Sequence, residues 1–177
     1  MRKWSAVLVF LLAAALPLLA VGETWKSDEH KCSFTMIEGA WKNTTNMPLG
    51  ILKDGVVEFY NINDFTSFSF APFIHRTDEK WKSETAKKTI ETTQSMIGAV
   101  SEKVWLIREE PEYPVNGVSG YKREIGFQTG GIDYTAIIVV LVKNNVHYRL
   151  LFTSLEKNYS TSFDSFKRIV NSFRIQS

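Results

Sequence analysis

One cysteine, Cys32, stands in a chain of 177 residues. A lone thiol closes neither an intramolecular disulfide nor a multi-cysteine zinc site, which excludes a disulfide-stapled domain and a zinc ribbon. Three histidines, His30, His75 and His147, occur without His-Glu-x-x-His spacing, and there is no P-loop or Gly-x-Gly-x-x-Gly run. No cofactor and no metal site is therefore expected. Charge of one sign is also missing: 21 Lys plus Arg oppose 19 Asp plus Glu, for a formal net charge of +2. Nucleic acid, which needs a broad basic surface, is not an expected partner. What is present is 44% hydrophobic and 13% aromatic residues, enough to exclude a disordered or collagen-like chain.

The amino terminus reads as a secretory signal. Arg2 and Lys3 precede an apolar stretch from Ala6 to Val21, and the small residues Ala20 and Gly22 fit a cleavage point after Gly22. The stretch contains Pro17 and is shorter than the ~20 residues a membrane span needs, so no stable span is expected after cleavage. Cys32 lies too far beyond Gly22, without a lipobox, to carry a lipid anchor. Removing residues 1–22 takes away two cations and no acid, leaving 19 charges of each sign and weak electrostatic steering. The remaining residues divide into a mobile lead-in over 23–31 and one domain over 32–177, with no repeat or linker inside it. Two glycosylation sequons, Asn43-Thr44-Thr45 and Asn158-Tyr159-Ser160, matter only in a host that glycosylates exported proteins.

Within the domain, Cys32 to Ile37 predicts a first strand, followed by a turn and polar loop from Gly39 through Asn46. Asp54-Gly55 predicts a hairpin between Ile51-Leu52-Lys53 and Val56 to Tyr60. Ser67 to Ile74 predicts another strand, placed at an edge or strand end by Pro72. From Asp78 to Ile97 the period changes: Trp81, Ala86, Ile90, Thr93 and Ile97 trace one helical face, with Thr77 or Asp78 as cap and Gly98 as a left-handed C-cap.

Three strands then form a meander through the two-residue turns Gly130-Gly131 and Asn144-Asn145. Those turns predict Phe127 opposite Tyr134, Ile125 opposite Ala136 and Arg123 opposite Ile138. They also predict Leu141 opposite Tyr148, Val139 opposite Leu150 and Ile137 opposite Phe152. The middle strand, Tyr134 to Val142, is apolar on both faces and must be covered on both. A closing helix from Ser160 to Ser162 onward carries Phe163, Phe166, Ile169, Val170 and Phe173 inward, with Thr161 and Asp164 as a capping box. The fold class is α+β: a central antiparallel sheet with a C-terminal meander, flanked by helices on both faces.

Few groupings carry chemistry. Gly117-Val118-Ser119-Gly120 lacks the final glycine of a nucleophile elbow, since Tyr121 follows, and reads as a flexible bend entering a strand. Cys32 with His30 two residues away offers a thiol and a base but no orienting third group. The meander register places Arg123, His147 and Arg149 on the face that also holds Tyr121, Tyr134 and Val140, a weak candidate anion site. Glu109, Glu110 and Glu112, around Pro111 and before Pro114, read as a solvated acidic loop.

The order of elements resembles the PsbP-like superfamily, which includes PsbP, the Ran-binding Mog proteins and exported bacterial DcrB-like proteins. The resemblance rests on Phe34 and Trp41, the helix from Trp81 to Ile97, Gly117 before the meander, Tyr134 to Val142, and the closing Ile169-Val170-Asn171-Ser172-Phe173. It implies a central antiparallel sheet flanked by helices in proteins that bind or help assemble others, and no functional residue transfers. The resulting expectation is an exported, periplasmic or secreted, monomeric domain that acts without catalysis on a protein partner of the cell envelope. A hydrolase using Cys32 or a His147-centred site, and a carrier of a small hydrophobic ligand, are the alternatives.

Overall fold

The computed structural model describes residues 21–37, 41–43, 57–61, 66–74, 83–143 and 146–176. The expectations for the leader up to Ala20, the Asp54-Gly55 hairpin, Trp81 with its helix cap, and the Asn144-Asn145 turn lie outside those residues. The described strands are β1 (Val21–Ser27), β2 (Cys32–Ile37), β3 (Trp41–Asn43), β4 (Val57–Asn61), β5 (Thr66–Ile74), β6 (Lys103–Glu110), β7 (Ser119–Thr129), β8 (Ile132–Lys143), β9 (Val146–Leu155) and β10 (Arg174–Ile175). The helices are α1 (Ser83–Gly98) and α2 (Tyr159–Ser172), the latter entered through a 3-10 turn over Glu156–Asn158. A seven-stranded sheet in the order β3-β4-β5-β9-β8-β7-β6 is joined by a three-stranded sheet in the order β1-β2-β10, and every pairing is antiparallel.

The meander β7-β8-β9 forms in the predicted register, with all six expected pairs in place. Gly130 and Gly131 explain half of this: both have positive φ, +60° and +72°, as a type I′ turn demands, so the connection admits one register only. Alternate residues of β8 then face opposite layers. Ala136, Ile138 and Val140 meet Ala86 and Ile90 of α1, together with Tyr121 and Ile125. Ile137, Val139 and Leu141 face the other way, into Phe68, Phe70, Leu150 and Phe152, under Phe166, Ile169 and Val170 of α2 and Cys32, Phe34 and Met36 of β2. One helix covers one face; the second helix and the small sheet share the other.

Several local expectations are corrected. Residues 23–31 are not a mobile lead-in: Val21–Ser27 pairs with β2, and Trp25 stacks on Phe34 with ring centroids 5.0 Å apart. Packing that partly buried indole against the core supplies the reason. Trp41–Asn43 is a strand on β4 rather than part of a loop. β5 runs inside the sheet, although Pro72 lies past the last β4 pair, Val57 with Phe70, where its missing N–H leaves no described bond unmade on that side.

Gly98 is the last residue of α1, and its φ is not left-handed. Lys103–Glu110 is a strand, so Glu109 and Glu110 are not loop residues; only Glu112 is. The Gly117 bend is a tight turn in which Val115 bridges Val118 and the Asn116 amide donates to the carbonyls of Asn171 (3.0 Å) and Phe173 (2.8 Å). α2 starts at Tyr159 without a side-chain cap, so Thr161 and Asp164 lie inside it and form no capping box.

Candidate functional site

β7 and β9 place Arg123, His147 and Arg149 on the α1 face of the sheet, as the register predicted. They do not converge. Arg123 stands opposite Ile138 and His147 opposite Val142, four residues along β8 and two strands apart, or about 16 Å from ladder spacing. Each instead meets a partner in the surrounding packing. His147, buried, joins its Nδ1 to the Thr89 hydroxyl of α1 at 3.1 Å. The Arg123 guanidinium donates through Nε (2.9 Å) and Nη2 to Glu109 Oε1, and through Nη1 to Gln94 Oε1 (2.8 Å). Arg149 is half-buried between Val140 of β8 and Ala71 of β5.

Beside Arg123, a cleft of about 410 Å3 opens between the C-terminal half of α1 and the β6-β7 edge, lined by Glu91, Gln94, Ser95, Gly98, Val104 and Arg123. The Tyr121 hydroxyl, then the Arg123 guanidinium, hold the Glu109 carboxyl below the usual carboxylate range. Burial, reinforced by the bond to that carboxylate, pushes the Tyr121 phenol up. Tyr121, Glu109, Arg123 and Gln94 thus form a chain of charge-assisted hydrogen bonds tying α1 to the sheet.

The opposite face carries a second ionic cluster near the same edge. Lys122 Nζ, 4% exposed as a residue, lies 2.6 Å from Glu124 and 3.0 Å from Glu110, and the Tyr159 hydroxyl donates to Glu124 at 2.9 Å. The Tyr113 ring lies 5.1 Å from the same ammonium. Burial alone would lower the Lys122 pKa, but its two carboxylates outweigh burial and raise it. Burial first, then the bond to Glu124, raises the Tyr159 phenol. A buried ion held on both sides is an anchor for α2, since removal of one partner would strand the other's charge.

Cys32 and His30 lie in different environments. Cys32 opens β2 and is fully buried, and burial pushes its thiol up to about 12. His30 lies in the preceding turn, where Lys31 takes φ of +48°, and its carbonyl accepts the Tyr148 hydroxyl at 3.1 Å. A nucleophilic cysteine needs the opposite shift, toward thiolate at neutral pH. Among the described residues no group of three or more His, Cys, Asp or Glu is placed to hold a metal ion.

Neither a protein-family model nor a curated protein sequence matches the chain. Solved structures do. Cyanobacterial PsbP (CyanoP) from Synechocystis superposes with a TM-score of 0.64 at 13% identity, over 91% of this chain and 95% of its own. The Saccharomyces cerevisiae Ran-binding protein Mog1p gives 0.61 at 8% identity, over 86% and 94%. LpqN of Mycobacterium tuberculosis, involved in cell envelope biogenesis, gives 0.55 at 10% identity, over 88% and 91%. The chain has the PsbP/Mog1-like fold.

Within this PsbP/Mog1-like chain the residues that sequence reasoning missed are Lys122 and Glu124. Their signal was available: Glu109 and Glu110 precede a Lys122-Arg123-Glu124 triplet whose members alternate faces in a strand, so each acid has a base to meet once β6 pairs with β7. Glu109 meets Arg123 on one face and Glu110 meets Lys122 on the other. Reading the acids as loop residues hid both pairs. No described helix of this fold is long and apolar enough to cross a membrane.

Proposed function

We propose that the chain is exported through its amino-terminal leader and serves in the cell envelope as a non-enzymatic binding or accessory protein. The observation that carries this reading is the state of the two side chains best suited to catalysis. Cys32 is sealed in the core with a raised thiol pKa, and His147 is buried with its Nδ1 bonded to Thr89 of α1. The fold is shared with proteins named for binding Ran and for envelope biogenesis, which supports a role in binding. Cleavage after Gly22 is compatible with the fold. The β1-β2 ladder is irregular between Val21 and Thr24, so a cut there costs the single pair Val21 with Ile37 and leaves Thr24 to Ser27 paired.

The test is mass spectrometry and affinity capture of the tagged chain from fractionated native cells. A product beginning at Glu23 in the envelope fraction, with a partner captured reproducibly, is the expected result. An unprocessed chain confined to the cytoplasm would overturn export. A hydrolytic activity that disappears in Cys32→Ser or His147→Ala would overturn the non-enzymatic reading.

A further inference from the structure

β6 ends the seven-stranded sheet, with β7 on one side and no described strand on the other. Edge strands are ordinarily blunted by central charges, by proline, by shortness or by a bulge, and of these β6 has only the bulge, between Leu106 and Arg108. β6 keeps its charges at the ends and exposes three apolar side chains in the middle: Trp105 at 39%, Leu106 at 56% and Ile107 at 51%. Gly126 opposite Trp105 has no room for a Cβ, because the indole lies over it. The indole of Trp105 therefore leans inward over β7, and Leu106 and Ile107 are the more exposed apolar side chains of this last described strand.

The ladder with β7 tells which side of the sheet each residue occupies. Lys103, Trp105, Arg108 and Glu110 oppose Gln128, Gly126, Glu124 and Lys122, and therefore share the α2 side. Val104, Leu106 and Glu109 oppose Phe127, Ile125 and Arg123 on the α1 side, and the register shift between Leu106 and Arg108 makes Ile107 the extra residue.

Laid antiparallel to itself about a two-fold axis between Leu106 and Ile107, this strand matches itself. Lys103 stands opposite Glu110 and Trp105 opposite Arg108 on the α2 side; Val104 stands opposite Glu109 on the α1 side, and Leu106 meets Ile107 at the axis. Three of these four matches are complementary, ammonium to carboxylate, guanidinium to indole and apolar to apolar, while Val104 with Glu109 is not; Arg108 and Glu110, 3.1 Å apart within one chain, share their charges between that bond and the partner strand. A slip of one residue in either direction pairs residues from opposite sides of the sheet, Val104 with Arg108 or with Glu110. The four charges of β6 sum to zero, so two copies approach without net repulsion.

We propose that β6 is a homodimer edge: two copies join through antiparallel β6-β6 pairing into a continuous fourteen-stranded sheet, in place of the monomer expected from sequence. One eight-residue strand per copy buries less than the ~1,200 Å2 of a standard stable interface, so a reversible, micromolar-class dimer is expected.

Sedimentation velocity of the purified chain from ~1 to 200 µM should show monomer passing to dimer, a range set by that affinity class. Leu106→Lys and Ile107→Lys, which put like charges beside the axis, should each weaken the dimer at least about tenfold. Val100→Lys, equally exposed but on the turn after α1, should leave it unchanged. An equimolar mixture of Leu106→Cys and Ile107→Cys chains should form an interchain disulfide under mild oxidation, a readout that keeps the native charges and covers the case where a lysine variant fails to fold. A wild-type chain that stays monomeric throughout would overturn the proposal. So would a dimer indifferent to both lysines, one lost equally in Val100→Lys, or a monomer whose edge is instead occupied by a different protein.

Discussion

The two faces of the seven-stranded sheet are built by different means. The α2 face is aromatic: Phe34, Phe68, Phe70, Phe152, Phe166 and Phe173 are all fully buried there, with Phe70 touching Trp25, Phe34, Tyr148 and Phe173. The α1 face has a smaller aliphatic centre around Ile90, Ile125 and Ile138, and is fastened around its margin by His147 with Thr89 and by Glu109, Arg123 and Gln94. The contrast teaches where the cations of the meander went. A helix with only Ala86, Ile90 and Thr93 fully inward offers little apolar area, and directional polar bonds make up part of the difference.

The comparison can be broken or sharpened by substitution. Phe70→Ala should cost the most, about 3 to 5 kcal/mol of unfolding free energy in a denaturant titration, because four aromatic neighbours are left around the cavity. Ile138→Ala on the α1 face should cost about 2 to 4 kcal/mol. If it equalled Phe70→Ala, the idea of one dominant face would fail. Glu109→Gln should cost about 1 to 2 kcal/mol by weakening the charge-assisted bonds to Arg123.

That variant should also change the pH profile. The folded Glu109 carboxyl titrates below its unfolded value, so its contribution is complete above the unfolded value of about 4.3 and is lost as pH falls through the folded one. Stability of Glu109→Gln measured from neutral pH into acid should therefore fall less steeply than that of the parent. The smallest effect belongs to Gly130→Ala, about 1 kcal/mol of strain at positive φ, with the hairpin register retained in amide exchange.

Legibility followed the range of the interactions. The meander was readable because Gly130-Gly131 limits the turn to one geometry and the pattern of β8 requires cover on both sides. The inward residues of both helices were readable from their spacing. β1, β3, β6 and β10 were not, because short or peripheral strands are chosen by contacts with distant residues: Trp25 on Phe34, Trp41 opposite Asn61, Glu109 on Arg123, and Ile175 opposite Cys32. The candidate site was legible in its placement on one face, but not in the partners that face supplies. Arg123, His147 and Arg149 do share a face, yet α1 brings Gln94 and Thr89 to two of them, and α1's docking is not encoded in the meander.

By itself the order of residues determined the pairing of three strands, the two-sided burial of β8 and the inward faces of two helices, since turn length and periodicity act over a few residues. Tertiary structure decided which acids meet which bases, that Cys32 is sealed from water, and that Trp105, Leu106 and Ile107 are exposed on the last described strand of the sheet. Those outcomes depend on segments tens of residues apart arriving beside one another, and local pattern carries no record of that arrival.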